Sequence, residues 1–501
     1  MSGFLEREDI RRLRPAETAP FSGPIPTQVV SSDEYFPEPQ TKRQRQVETK
    51  LKALGTELAR KHGMSRRAFF TTAAGMAAAY LVMNEVYGPL FDVTRAEATT
   101  PELAQERADA LSDQFIFDCH THFLRDDTRL LNFIKGREAV GDAGWNPELK
   151  AKKQTIDDLK FNNYYKEMYL DSDTKVALIS SSPSDIAQDW FLTNEMMAQA
   201  RDKINEHAGS KRMLTHGIFT PGQPGWLDSL DHALSLKPDS MKGYTVGDNT
   251  HKATSRWPWR MDDEKIAYRG YEKMVKAGMN IVCVHKGLFP SVAEQKFPKL
   301  RPFADVSDVG KAAKDWPQIR FVIYHSGYRH VGEGGTPQAA AAQFEQIGRV
   351  EWVTDLADIP SKYGVTNVYG DLGQLFAYSA VAEPRLAAYM IGTLIKGLGT
   401  DHVVWGTDAL CTGSPQWQIE GLRRLEIPDE LQKKFGLEPL GPADGPVKTA
   451  IFSRNSVRMY NYKAPVTWKR LDHFAELKEE YLQIGPRRSN LRYGYMRRTA
   501  V

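Results

Sequence analysis

The sequence predicts an α/β fold, a distorted TIM (β/α)8 barrel with an N-terminal extension and a C-terminal helical tail, on three observations. From Phe115 onward, short apolar, β-rich runs alternate with longer stretches of helical period. There are eight such runs, and the first ends not in a glycine-rich phosphate turn but in Asp118-Cys119-His120-Thr121-His122. Strands alternating with helices argue for a parallel sheet, and eight units close it into a barrel. An open doubly wound sheet would want the glycine-rich turn after its first strand.

The runs are Phe115 to His122, Lys175 to Ser181, Arg212 to Thr220, Met241 to Val246, Asn280 to His285, Arg320 to His325, Asn367 to Leu372 and His402 to Asp408. Ile281-Val282-Cys283-Val284 and Phe321-Val322-Ile323-Tyr324 are continuous apolar stretches, as parallel strands covered on both faces require. Between runs, Ile186 to His207, Asp262 to Ala277 and Arg385 to Leu398 carry helical period. A long insertion, Leu124 to Leu170, follows the first strand and has the length of a lid or binding element. After the eighth strand the chain reads as a helix from about Gln416, a connector around Glu438 to Pro446, a helix Lys448 to Met459 and a tail, 463–501, placed to embrace the barrel or a second subunit.

In a barrel the carboxyl ends of all strands meet at one mouth. Strand one ends in His120 and His122, strand five in His285, strand six in His325 and strand eight in Asp408. Residues two apart on a strand project to the same side, so both imidazoles of His-x-His can close on one ion. Taken singly, each histidine reads as a hydrogen-bonded core residue. Four of the chain's 12 histidines on strand ends that share a mouth make a set suited to one divalent ion with a position left for water. Zinc is the expected ion, with manganese and iron as alternatives. On loops of the same mouth, Arg125, Trp257, Trp259, Tyr328, Arg329 and His330 could grip an aromatic or carboxylated compound, and could equally be loop packing.

The chain resembles the amidohydrolase superfamily, in the branch that includes aminocarboxymuconate-semialdehyde decarboxylase and related metal-dependent hydrolases. The residues that carry this are Asp118-Cys119-His120-Thr121-His122, Trp259 to Glu264, Val284-His285-Lys286-Gly287, Tyr324-His325-Ser326-Gly327, Asp371 and Trp405-Gly406-Thr407-Asp408, spread from Phe115 to Tyr460. The resemblance implies that His120, His122, His285 and Asp408 hold the metal. It further implies that His325 is a general acid/base and that Asp408 can also accept a proton from water. Binuclear members carry a carbamylated lysine at the end of strand four; here Lys242 lies early in that strand, which favours one metal over two.

With 66 Lys+Arg against 63 Asp+Glu, the formal charge of +3 gives no single-sign field to attract nucleic acid. A small-molecule substrate is expected. The three cysteines, Cys119, Cys283 and Cys411, cannot form a disulfide framework, and Cys283, in phase with His285, reads as a small buried apolar residue.

Residues 1–64 are proline-bearing and charged and read as disordered or loosely helical. Ser65-Arg66-Arg67-Ala68-Phe69-Phe70, an alanine-rich apolar run from Thr71 to Leu90 and then Ala96-Glu97-Ala98 follow. This order resembles a twin-arginine export signal over 65–98. It implies the export machinery as a partner, a periplasmic destination, and a tethered form if the signal is not cleaved. The catalytic barrel is then expected over 99–462.

Three functional readings follow. The first is a metal-dependent hydrolase that uses an activated water on an ester, lactone or amide of a small compound. The second is a non-oxidative decarboxylase of an aromatic or unsaturated acid, which would want an arginine such as Arg125 or Arg329 facing the metal. The third is a catalytically silent barrel that binds or scaffolds, against which the completeness of the polar set argues. A homo-oligomer fits each of them.

Overall fold

The computed structural model describes residues 23–27, 40–130, 159–248, 252–331, 337–410, 412, 414–463 and 473–484. Cys411 and most of the insertion after the first strand, 131–158, lie outside them. The eight expected strands are present and parallel, in the order β1 to β8: β1 Phe117–Thr121, β2 Val176–Ile179, β3 Met213–Ile218, β4 Ser240–Tyr244, β5 Ile281–His285, β6 Arg320–Tyr324, β7 Val368–Asp371 and β8 Val403–Val404. Closure of β8 onto β1 runs past the short β8 ladder. Cys119 N–H donates to Trp405 O (3.0 Å), Asp408 N–H to His120 O (2.9 Å) and His122 N–H to Ala409 O (2.6 Å).

The eighth strand was expected to run to Asp408, but its ladder stops at Val404. The backbone leaves the pleat because Asp408 is left-handed, φ 58°. A non-glycine residue there costs about 1–3 kcal/mol; the bond to His120 O helps hold it. His325, just past β6, has φ 59° and donates its own N–H to Asp371 Oδ2 (3.2 Å). Both candidate site residues therefore stand on backbone that has turned out of the sheet.

Alternation along the strands fills the barrel interior with Phe117, Leu178, Leu214, Ile281, Val322 and Val404, together with Cys119 and Cys283. Burial pushes the Cys283 thiol up to about 11, so it is a packed thiol, as its phase predicted. Tyr460 stacks on Phe117 (5.6 Å between ring centres) and plugs the end opposite the mouth. Lys242, early in β4, is wholly inside, with Nζ 3.2 Å from the Tyr324 ring centre. Tyr324 also packs against His120, 3.8 Å between ring centres. Tyr324 thus forms the floor under the mouth, its hydroxyl donating to Cys119 O and meeting His216 Nε2, each at 2.7 Å.

Of the N-terminal extension, read as disordered or loosely helical, the described part from residue 42 is helical and packed. Lys42–Lys61 is a helix with a Thr41/Gln44 capping box, and Val47, Leu51 and Leu58 on one face join the same hydrophobic core as the barrel helices. It meets the Phe70 ring at Gly55, where a side chain would collide. The helix Ala73–Tyr87 is embedded too: Tyr80 donates to Trp417 O (2.5 Å). Residues 90–98 zip onto 424–426, with Asp92 N–H to Arg424 O (2.6 Å), Glu426 N–H to Leu90 O (2.8 Å) and a buried Arg424–Glu97 ion pair (2.6 Å). Among the described residues no helix is long and apolar enough to cross a membrane.

The described ends of the insertion pack outside β1 and β2, where Tyr164 bonds Thr121 Oγ1 (2.8 Å). The tail helix His473–Ile484 lies over them, with Phe474 among Tyr165, Tyr169 and His207. The tail therefore embraces its own barrel at this point.

Candidate metal centre

Three donor atoms converge at the mouth. His120 Nε2 and His122 Nε2 are 3.1 Å apart, and Asp408 Oδ1 lies 3.3 Å from the first and 3.2 Å from the second. Period-2 projection from β1 supplies the pair, and the turned backbone beyond β8 supplies the carboxylate.

The outer nitrogen of each imidazole fixes its tautomer. His120 Nδ1 lies 2.8 Å from Asp371 Oδ2, and His122 Nδ1 lies 2.8 Å from Ser180 O. Ser180 O can only accept, and Asp371 accepts as a carboxylate, so with Asp371 ionised both Nδ1 atoms carry the proton and both Nε2 atoms present lone pairs to each other. Two lone pairs at that distance repel unless a cation lies between them. Bonds of about 2.0–2.1 Å to a tetrahedral ion place neighbouring donors about 3.3 Å apart, close to the edges found here. The donor set therefore fits a divalent ion, and burial, which holds the His120 imidazole well below its ordinary range, keeps that ring neutral as ligation needs.

His285, the remaining ligand implied by the sequence, stands beside this cluster. Among the described residues the mutually close donors are those of His120, His122 and Asp408, with a second grouping of His120, His325 and Asp371. The His285 ring stacks on Tyr244, 4.4 Å between centres, and meets His325 edge-on at 4.8 Å. It lines the wall beside His325.

His325 has the opposite tautomer. The Gln374 backbone N–H donates to its Nδ1 (3.0 Å), which must therefore be the acceptor, leaving the proton on Nε2. Burial holds this imidazole, too, well below its ordinary pKa, with His285 and Lys242 adding to the effect. It is a neutral ring that offers a proton from the edge turned away from Gln374.

Two carboxylates brace the centre. Asp371, at the end of β7, takes His120 Nδ1–H and the His325 N–H on one oxygen, a carboxylate–histidine arrangement that orients a metal ligand. It leaves no room for side chains nearby. A Cβ on Gly373 would stand 2.5 Å from His325 Nδ1, and one on Gly406 would run into Asp371 itself. Asp118 ties the ends of strands one and eight together, accepting from His120 N–H and Thr407 N–H (3.1 Å each) and Thr407 Oγ1–H (2.5 Å). Burial raises its carboxyl to about 7 against those bonds.

The residues expected to grip substrate each have partners within the protein. Arg125 is tied to Asp127 through Nε and a terminal nitrogen (2.5 and 2.7 Å). Arg329 is buried between Glu294 (2.5 Å) and Glu351 (3.0 Å) and lies over the Trp352 ring. Trp259 packs behind β4 against Gly243 and Phe219, its indole N–H donating to Tyr244 O (2.9 Å). Tyr328 is buried beside Tyr378 and His330. The residue missed in the sequence is Gln374, wholly buried, whose side-chain amide donates to Asp408 Oδ2 (2.7 Å). Its nearness to Asp371, three residues earlier at a strand end, was the available signal.

Comparison with solved structures gives likenesses at low identity. A 5-carboxyvanillate decarboxylase from Sphingomonas paucimobilis is 14% identical, covering 70% of this chain and 100% of its own, with a TM-score of 0.40. A 2,6-dihydroxybenzoate decarboxylase from Rhizobium is 13% identical, over 70% and 99%, at 0.38. An amidohydrolase from Burkholderia multivorans with bound zinc is 13% identical, over 69% and 99%, at 0.41. No curated protein matches. The amidohydrolase family model matches residues 117–462, which takes in every strand and every donor described above; the chain belongs to the amidohydrolase family.

Proposed function

We propose that the protein is a metal-dependent hydrolase that cleaves an ester, lactone or amide bond of a small compound. The observation that carries this over a lyase is the pairing of Arg125 and Arg329. Each is already held by carboxylates, whereas a decarboxylase of this kind needs a cation turned to the substrate carboxylate. His120, His122 and Asp408 would hold one divalent ion, with zinc first among the candidates and manganese or iron next, and His285 at its side. Such an ion lowers the pKa of water toward neutrality and polarises a carbonyl.

The chain's own groups divide the proton work. Asp408 is the base, since His325 has its proton on Nε2 and no lone pair there to receive another. His325 donates from Nε2 to the carbonyl or leaving atom, and Gln374 N–H at its Nδ1 keeps that proton in place. Asp371 holds the His120 ring so that Nε2 stays aimed at the cluster. Near-complete burial of these groups strengthens every one of these contacts.

A decarboxylase remains the second reading, supported by the same His325 Nε2–H, which could protonate the carbon left after loss of carbon dioxide. Incubating the metal-loaded protein with esters, lactones, amides and aromatic carboxylic acids separates the two. Acid release without carbon dioxide is expected. Carbon dioxide from an aromatic acid, with no turnover of the neutral substrates, would overturn the hydrolase reading. Export by the twin-arginine route to the periplasm belongs to the same proposal, supported by Arg66 and Arg67, both exposed at the start of a short helix capped by Ser65.

A further inference from the structure

We propose that Gln374 is a positioning residue that sets the proton arrangement of both sides of the centre, Asp408 through its side chain and His325 through its backbone. Its side-chain Nε2 reaches Asp408 Oδ2 at 2.7 Å, while the other Asp408 oxygen faces the two histidines. Its backbone nitrogen reaches His325 Nδ1 at 3.0 Å. One residue thus touches the candidate ligand and the candidate acid.

The two contacts do different things. An amide N–H2 can only donate, so its bond to Oδ2 pins the rotation of the Asp408 carboxylate and directs Oδ1 toward His120 and His122. Without it Oδ2 would lose the bond that pins it, and the carboxylate could swing. The backbone N–H imposes the Nε2–H tautomer on His325. Gln374 is the second residue of the helix Gly373–Ala382, where a backbone N–H has no partner within the helix. That N–H is therefore available for His325 without cost to the helix, and it lies on the positive end of the helix dipole. The preceding Gly373, φ 38°, lets the backbone come this close, because any Cβ there would crowd the His325 ring.

The inference rests on the metal-centre reading but not on the choice between hydrolase and lyase, and its test has readouts that do not depend on turnover. Three variants separate the contacts. Gln374→Met keeps the volume and the backbone N–H but removes the amide; Gln374→Leu repeats this with another shape. Gln374→Pro also removes the N–H at a helix position that tolerates proline.

In the metal-loaded protein, chelator competition should show the ion held about 10–100-fold more weakly in Gln374→Met and Gln374→Leu. The thermal midpoint of the metal-free protein should stay at its wild-type value, and the imidazole nitrogen NMR signals of His325 should keep the Nε2–H pattern. In Gln374→Pro that pattern should give way to a mixture of tautomers, with kcat below that of Gln374→Leu and KM similar. Wild-type metal affinity in both Gln374→Met and Gln374→Leu would overturn the side-chain role. An unchanged His325 pattern in Gln374→Pro would overturn the backbone role. Weaker metal binding matched by an equal fall in metal-free stability would reduce the Gln374 amide to packing and overturn the side-chain role. If no substrate is turned over at all, the function reading fails while the affinity and NMR results still decide this one.

Discussion

His120 and His122 hold their Nε2 atoms 3.1 Å apart while each Nδ1–H is committed to an acceptor, Asp371 Oδ2 for one and Ser180 O for the other. That combination directs two lone pairs at one point, with Asp408 Oδ1 completing the triangle. The predictions below follow from this arrangement and from what surrounds it.

Asp371→Asn should loosen the metal without unfolding the protein. The amide can still accept from His120 Nδ1–H, but it lacks the charge that steadies the ring and makes Nε2 a better donor. Affinity by chelator competition should fall about 10–100-fold. Wild-type affinity would show that His120 needs no such brace.

His325→Ala should leave metal content intact and reduce kcat by about 10²–10⁴-fold, the usual contribution of a positioned proton donor. Metal analysis alongside steady-state kinetics on the best substrate checks both halves. Retained turnover would remove His325 from the reaction.

His330 supplies a pH test outside the centre. Burial, aided by Arg329, lowers its pKa from 6.5 to about 4. As pH falls below 6.5 the unfolded chain takes up this proton before the folded one does, so this residue costs the fold stability progressively down to about pH 4 and nothing further below it. His330→Gln should therefore flatten the loss of thermal midpoint between those pH values relative to wild type, while the two proteins run parallel above pH 7. Parallel curves throughout would show that His330 is not buried as a neutral ring.

The N-terminal arm bears on processing. Glu97 and Ala98, at the expected cleavage motif, are buried, and Glu97 is locked to Arg424. Intact mass of the protein isolated from its native cells should include residues 42–98, and Arg424→Leu should cost about 3–5 kcal/mol by stranding the Glu97 carboxylate. A mature chain beginning at Thr99 would contradict this, whatever the route of export.

Much of this was legible in the chain and some was not, for physical reasons. The eight strands and the convergence of His120, His122 and Asp408 follow from period-2 projection and from barrel geometry, which are local rules. The loosely helical alternative for the arm agrees with the helix 42–61, but its packing was not read, because cations dominate the composition there; Val47, Leu51 and Leu58 recur at helical spacing and were the signal for a packed face. Arg125, Trp259, Tyr328 and Arg329 lie near strand ends in sequence, but a loop side chain points where tertiary partners take it, and carboxylates or core rings took all four. Gln374 carries no motif of its own. Its role depends on the helix after β7 starting directly beneath the centre.

The central claim is that His120, His122 and Asp408 make one divalent-ion site. Metal analysis of the purified protein, grown with zinc or manganese, tests it most directly when run beside His122→Ala and Asp408→Ala. The account predicts one ion per wild-type chain and little or none in the two variants at unchanged fold by circular dichroism. Wild-type protein that turns over substrate without metal, or variants that keep a full ion, would contradict it.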